Sequence, residues 1–210
     1  MPATFLSIHP KNPEPRKIQE VVKCLQEGGI VVYPTDTIYG MGCDIHNPRA
    51  VERLCKIKKV EPRKNNFSII CADLSHISEY ANISDNTFKI MKKALPGAYT
   101  FVLKASSKLP KILHTNKKTI GIRIPDHNIP LEIVRQLENP IITTSIKNLD
   151  DIVEYPTYPE DIYKMLKHEV DIVIDGGAGQ HTPSTILDCT EDEPTLIRLG
   201  LGDVSWLGLE

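Results

Sequence analysis

The run Pro34-Thr35-Asp36-Thr37-Ile38-Tyr39-Gly40-Met41-Gly42 packs two hydroxyls, a carboxylate, a phenol and two glycines into one short segment. It follows Gly29-Ile30-Val31-Val32, which reads as a buried strand, and precedes Asn47-Pro48, which reads as a helix start. It is therefore expected to be a strand-to-helix connection, the place where α/β proteins hold ligands. The plain alternative is a tight loop whose Thr and Asp side chains bond their own backbone. Four more polar groups fall at strand ends or faces. Lys56, Lys58 and Lys59 end a helix, and Arg63 and Lys64 follow; a merely structural role would be to answer the helix dipole. Arg123 shares a strand face with Gly121, whose missing side chain leaves room for a flat or anionic ligand. Thr143-Thr144-Ser145 ends an apolar run and suits either a helix cap or phosphate oxygens. Gly176-Gly177-Ala178-Gly179 leads to Pro183-Ser184-Thr185, and glycine-rich backbone can approach a phosphate closely. No Gly-Lys-Ser/Thr follows, so this is not a Walker A loop. Together the hydroxyls, glycines and spaced cations suit an anionic, nucleotide-like ligand.

These groups need elements to position them. Helical spacing predicts a helix over 12–27, with Asn12 as cap, Pro13 in the first turn and Ile18, Val21, Val22 and Leu25 on one face. A strand over 30–33 follows Gly28-Gly29. Asn47 caps a helix over 48–58. Residues 67–71 read as a strand. Ser84 caps a helix to Ala94, with Phe88, Met91 and Leu95 inward, and a strand runs from Tyr99 to Lys104. In 119–124 the three isoleucines share one strand face, while Thr119, Gly121 and Arg123 share the other. Helices are expected over 128–137 and 159–168, strands over 140–144 and 171–175, and a closing hairpin from 185–188 and 195–198. Helices and strands alternate, so the class is α/β (α+β), in a single domain over 1–210 with a mixed parallel and antiparallel sheet.

Composition narrows the function classes. The chain has 210 residues, 40% apolar and 25% charged, with a net charge of −2. That is globular, with no global field drawing it onto nucleic acid. No stretch approaches the ~20 apolar residues of a membrane span. The N-terminus lacks a basic n-region and a long apolar region, so no signal peptide is expected. The five cysteines form no Cys-x-x-Cys, which argues for reduced thiols and a cytoplasmic location. The seven histidines make no His-x-x-x-His pair, so no metal site is expected.

The segment 34–42 resembles the Pro-Thr-Asp/Glu-Thr-x-Tyr-Gly-Leu-Gly signature of the YrdC/YciO family. So do Pro96-Gly97-Ala98-Tyr99-Thr100, Gly121-Ile122-Arg123-Ile124-Pro125, Thr143-Thr144-Ser145, Pro183-Ser184-Thr185 and Ile197-Arg198-Leu199-Gly200. The blocks keep the family's order across nearly the whole chain. Two blocks depart from the synthase branch of that family. Its Lys-x-Arg-Pro stands here as Lys58-Lys59-Val60-Glu61-Pro62-Arg63, with Val60 at the arginine position. Its Ser-Ala-Asn-x-Ser-Gly stands here as Ser145-Ile146-Lys147-Asn148-Leu149-Asp150. Both departures, with Asn65-Asn66-Phe67, resemble the YciO type.

The resemblance implies a twisted, open mixed sheet with flanking helices and a concave face. For the synthase branch it implies threonylcarbamoyl-adenylate synthase, which turns threonine, bicarbonate and ATP into threonylcarbamoyl-AMP and pyrophosphate for t6A modification of tRNA. It implies Mg2+ accompanying ATP, with few protein ligands, and no covalent nucleophile. The substrate- and nucleotide-binding residues carried over are Thr35, Thr37, Tyr39, Lys58, Arg123, Thr143, Ser145, Ser184 and Arg198. Thr35 and Thr37 would hold threonine, Tyr39 would wall the pocket, and Lys58, Arg123 and Arg198 would meet anionic oxygens. The expectation is a YciO-type protein with weak synthase-like activity. The alternative is a double-stranded RNA- or tRNA-binding translation factor, using a basic rim of Lys56, Lys58, Lys59, Arg63, Lys64, Lys117, Lys118 and Lys147. Against it stand the slightly acidic charge and only 6% aromatics, which leave few stacking platforms. A third reading is a related adenylating enzyme acting on another small acid.

Overall fold

The computed structural model describes residues 1–61, 67–114, 116–146 and 155–209. Arg63, Lys64, Asn65, Asn66 and residues 147–150, which carry part of the basic rim and of the second departure, lie outside the described residues. The helices are α1 (Pro15–Gln26), α2 (Pro48–Lys58), α3 (Ile77–Tyr80), α4 (Asp85–Ala94), α5 (Asn128–Leu137) and α6 (Pro159–Leu166). The strands are β1 (Thr4–Ser7), β2 (Val31–Tyr33), β3 (Gly40–Asp44), β4 (Ser68–Ile70), β5 (Ala81–Asn82), β6 (Tyr99–Ala105), β7 (Thr119–Arg123), β8 (Ile141–Ser145), β9 (Ile172–Asp175), β10 (Thr185–Asp188) and β11 (Thr195–Arg198).

Local chemistry sets most helix ends. Asn47 accepts from the Ala50 N–H at 3.1 Å and opens α2, and Ser84 accepts from the Thr87 N–H at 3.2 Å and opens α4. α1 starts later than the sequence suggests. The His9 ring accepts from the Asn12 N–H at 3.1 Å, which draws Asn12 into a turn, and Glu14 stands at the cap position with Pro15 in the first turn. On α4 the buried stripe is Thr87, Met91 and Ala94. Phe88 lies off that stripe and is 43% exposed, contrary to the inward placement expected of it. The short α3 and β5 had no sequence signal.

The strands form one eleven-stranded sheet among the described residues, ordered β1-β9-β2-β3-β8-β4-β7-β6-β10-β11, with β5 on β6. Parallel pairs (β1/β9, β2/β9, β4/β7, β6/β10) mix with antiparallel ones (β2/β3, β3/β8, β4/β8, β6/β7, β10/β11). Strand alternation splits the apolar residues into two cores. On one face Val32, Ile69, Phe101, Ile122, Ile142 and Leu187 pack with residues of α2, α4 and α6. On the other, Val31, Tyr33, Ile70, Ile141 and Ile174 pack under α1 and α5. The side chains of Ser68, Thr100, Arg123, Thr143 and Ile186 alternate onto this second face, and there they line an open cleft instead of a core. No helix among the described residues is long and apolar enough to cross a membrane. All five cysteines are unpaired thiols, with Cys43, Cys55, Cys71 and Cys189 buried and Cys24 half-buried.

Candidate functional site

The segment after β2 does not lead into a helix. It turns back, and Gly40–Asp44 pairs antiparallel with β2 through Val31↔Gly42 and Tyr33↔Gly40. A Cβ on Gly40 would come within 2.9 Å of the Tyr33 ring and 3.2 Å of Thr143 Oγ1; one on Gly42 would come within 2.9 Å of the Tyr33 hydroxyl. The glycines leave the space above β3 to the Tyr33 ring, which reaches across that strand to β8. There the Tyr33 hydroxyl donates to Thr143 Oγ1 at 2.8 Å.

The turn itself seats an arginine. Thr35 Oγ1 donates to the Ile38 carbonyl at 2.7 Å and accepts from the Thr37 N–H at 3.1 Å, which is the local role expected of turn hydroxyls. Beyond that, Thr37 Oγ1 accepts from Arg123 Nη2 at 3.1 Å, and Asp36 Oδ1 forms an ion pair with the same nitrogen at 2.9 Å. Arg123 is buried, at 8% exposure. Burial lowers its guanidinium from the ordinary value and neighbouring Arg198 pushes the same way, while Asp36 opposes both. Gly121 does not leave ligand space beside Arg123. A Cβ there would sit 2.2 Å from Ser68 Oγ, so Ser68 already fills the gap.

Arg198 arrives at the cleft through an irregularity. Arg198 pairs with Ile186 and Leu196 with Leu187, which leaves Ile197 as an extra residue. In a regular strand Leu196 and Arg198, two apart, would share a face. The bulge instead lets Leu196 join the core while Arg198 turns to the cleft side. Arg198 Nη2 donates to the Ser184 carbonyl at 2.7 Å, and Ser184 Oγ lies 2.9 Å from Thr100 Oγ1.

The resulting cleft has a volume of about 170 Å³. Tyr39, Arg123, Thr143, Ser145, Ser184 and Arg198 all line it, so these six of the nine residues singled out from sequence come together. Thr35 and Thr37 do not line it; they lie behind Arg123. Lys58 also lies outside the wall, and its Nζ donates to the Ser145 carbonyl at 2.7 Å. Lys58 still belongs to α2, and Lys59 is left-handed (φ 53), so 58–60 is not the extended segment that would aim two cations at one ligand. Val60 packs against the core. The Tyr39 hydroxyl donates to the Gly177 carbonyl at 2.7 Å, leaving its ring as the wall. A Cβ on Gly176 would press on Pro34 at 2.6 Å, and one on Gly179 on the Tyr39 ring at 2.9 Å. Gly176 and Gly179 thus fit the chain around the turn, and none of the 176–179 glycines lines the cleft. Asp36, Thr100, Ser68 and Tyr33 are not among the residues singled out from sequence; Asp36 and Thr100 carry the signal of lying in the 34–42 and 96–100 blocks, while Ser68 and Tyr33 lie in apolar strands and carry none.

Buried polar atoms almost always find partners. Among the side-chain atoms of the described residues the exceptions are Asp36 Oδ2, Arg123 Nε and Arg198 Nε, all in this one cluster. Of the basic rim, Lys56, Lys59, Lys117 and Lys118 are exposed and lie off the cleft wall. No group of three or more His, Cys, Asp or Glu among the described residues could hold a metal ion.

A family model for Sua5, YciO and YrdC, described as telomere recombination, matches residues 23–200. The uncharacterized protein YciO of Escherichia coli strain K12 is 39% identical over 201 residues, covering 95% of this chain and 97% of its own. Its crystal structure superposes with a TM-score of 0.90 over 96% of this chain and 98% of that one. The threonylcarbamoyl-AMP synthase of Vibrio vulnificus strain YJ016 is 30% identical over 187 residues, covering 87% of this chain and 98% of its own. A crystal structure of P. abyssi Sua5 complexed with L-threonine is 27% identical, with a TM-score of 0.84, over 94% of this chain and 58% of that chain.

Proposed function

The chain belongs to the Sua5/YciO/YrdC family, and we propose that its cleft binds ATP and L-threonine and makes threonylcarbamoyl-AMP slowly. One observation carries this reading. Buried Arg123 and half-buried Arg198, each with a buried, unpartnered Nε, converge on a cleft whose other polar groups are mainly hydroxyls. Such a wall suits phosphate and carboxylate oxygens. The similarity to threonylcarbamoyl-AMP synthases and to a threonine-bound Sua5 supports the choice of substrates.

The chemistry asks for no nucleophile from the protein. The threonine amine combines with bicarbonate to give a carbamate and water. A carbamate oxygen then attacks the α-phosphorus of ATP, the bond to the β-phosphate breaks, and pyrophosphate leaves. The protein positions the reactants and neutralises charge. Arg123 and Arg198 meet the anionic oxygens, Ser184, Thr143 and Ser145 donate hydrogen bonds, and the Tyr39 ring limits the pocket. Asp36, Thr35 and Thr37 hold the Arg123 fork in place. Among the described residues the cleft wall offers cations and hydroxyls and no carboxylate, which does not fit a protein-bound Mg2+; magnesium is expected to travel on the triphosphate oxygens.

Slowness follows from Val60. At this position the synthase pattern has a cation, and here a half-buried apolar side chain packs against the core. Loss of a charge-stabilising donor typically costs ~10²–10³ in rate. The test is conversion of ATP to AMP with and without threonine and bicarbonate, with the product identified by mass. Slow, threonine-dependent AMP formation is expected. Val60→Arg should raise it, by less than that factor, because arginine must first leave the core packing. Fast turnover by the unaltered protein would contradict the slow-synthase reading, and AMP formation indifferent to threonine would point to another acid substrate.

A further inference from the structure

The cleft hydroxyls are not isolated. Thr143 and Ser184 stand on its wall, and each has a second hydroxyl bonded to it: Tyr33 to Thr143 at 2.8 Å and Thr100 to Ser184 at 2.9 Å. Tyr33 is fully buried, at 0% exposure, and does not reach the cleft. We propose that Tyr33 and Thr100 are positioning residues that turn the Thr143 and Ser184 protons toward the cleft, so that it selects ligand atoms that only accept hydrogen bonds, phosphoryl and carboxylate oxygens. This rests on the reading of the cleft as an anion site.

The argument is a count of protons. A hydroxyl has one proton and two lone pairs. Tyr33 donates to Thr143 Oγ1, so the Thr143 proton must point elsewhere. Among the described residues no other side-chain partner meets that oxygen, and Thr143 lines the cleft. Burial pushes the Tyr33 phenol far up from its ordinary value, so it keeps its proton as a donor. For Thr100 and Ser184 either oxygen can be the donor. Both hydroxyls line the cleft, and an anion held by Ser184 between Arg123 and Arg198 removes that freedom: once Ser184 donates to it, Thr100 donates to Ser184. Chained hydrogen bonds polarise one another, which strengthens the front donor. Among the described residues the lining includes no Asp or Glu, so this part of the wall presents donors to whatever it holds.

The test is calorimetric titration of pyrophosphate and of ATP into the full chain. Thr100→Val and Tyr33→Phe are each expected to weaken binding about tenfold, the worth of roughly one hydrogen bond. Thr100→Ser keeps the donor and should bind within about twofold of the unaltered protein. A double-mutant cycle separates positioning from general damage. Tyr33→Phe should cost nothing further once Thr143→Val is present, and Thr100→Val nothing further once Ser184→Ala is present. Should Tyr33→Phe not fold, the Thr100 cycle decides. If the unaltered protein binds neither probe, the anion-site reading falls and the relay with it. If it binds both and the two variants bind equally well, or the cycle losses simply add, the relay alone falls.

Discussion

Arg123→Met should abolish measurable binding of pyrophosphate and ATP, lower AMP formation by ~10²–10³, and destabilise the fold by about 3–5 kcal/mol. The two effects have different origins. Binding fails because the buried cation of the cleft wall is gone, and Arg198 alone cannot grip both ends of an extended anion. Stability falls because Asp36, its side chain 11% exposed and its Oδ2 fully buried, is left as a largely desolvated carboxylate without its counter-charge. Removing both charges separates the effects. Asp36→Asn with Arg123→Met should recover most of the lost stability, since replacing both members of a buried pair is often close to neutral. Binding should stay absent in the double variant. Urea unfolding reads the first quantity and calorimetry the second. An Arg123→Met protein that still binds pyrophosphate would remove Arg123 from the site. A double variant no more stable than the single one would show that Asp36 does not depend on Arg123.

Much of the framework can be read locally. α2 and α4 announce themselves by a cap followed by helical apolar spacing, and β7 by strict alternation. The polar blocks mark which loops matter. What the sequence hides is how the blocks meet. Asp36 and Arg123 are 87 positions apart, and Tyr33 and Thr143 are 110 apart. No local pattern says that Thr35 and Thr37 turn toward Arg123 instead of a ligand, or that Ser68 fills the space over Gly121. The bulge at Ile197 is equally silent, because a bulge changes which of two neighbours faces the cleft without changing the residue types. β3 was hidden for a different reason. Glycine is depleted in strands, so Gly40-Met41-Gly42 reads as a turn, although tertiary packing makes it a central strand.

That strand gives the second large effect. Gly42→Ala should lower stability by about 3 kcal/mol and the midpoint of thermal unfolding by about 6–12 °C. Gly42 pairs with Val31 on one side and Thr143 on the other, so β3 cannot slide away from either neighbour. An added Cβ would lie 2.0 Å from the Ile142 carbonyl oxygen, a backbone atom that no rotamer change can move. Gly40→Ala should be milder in stability, because its Cβ meets the Tyr33 ring at 2.9 Å and the Thr143 hydroxyl at 3.2 Å, both side chains. The ring must then tilt, and the Tyr33 bond to Thr143 is lost. Gly40→Ala is therefore expected to weaken pyrophosphate binding as much as Tyr33→Phe does, in a protein that remains folded. Thermal unfolding and calorimetry on the two variants check the pair. If Gly42→Ala is neutral, the close β3–β8 approach is wrong. If Gly40→Ala binds normally, the glycines serve the sheet alone, and the space they leave for Tyr33 has no bearing on the cleft.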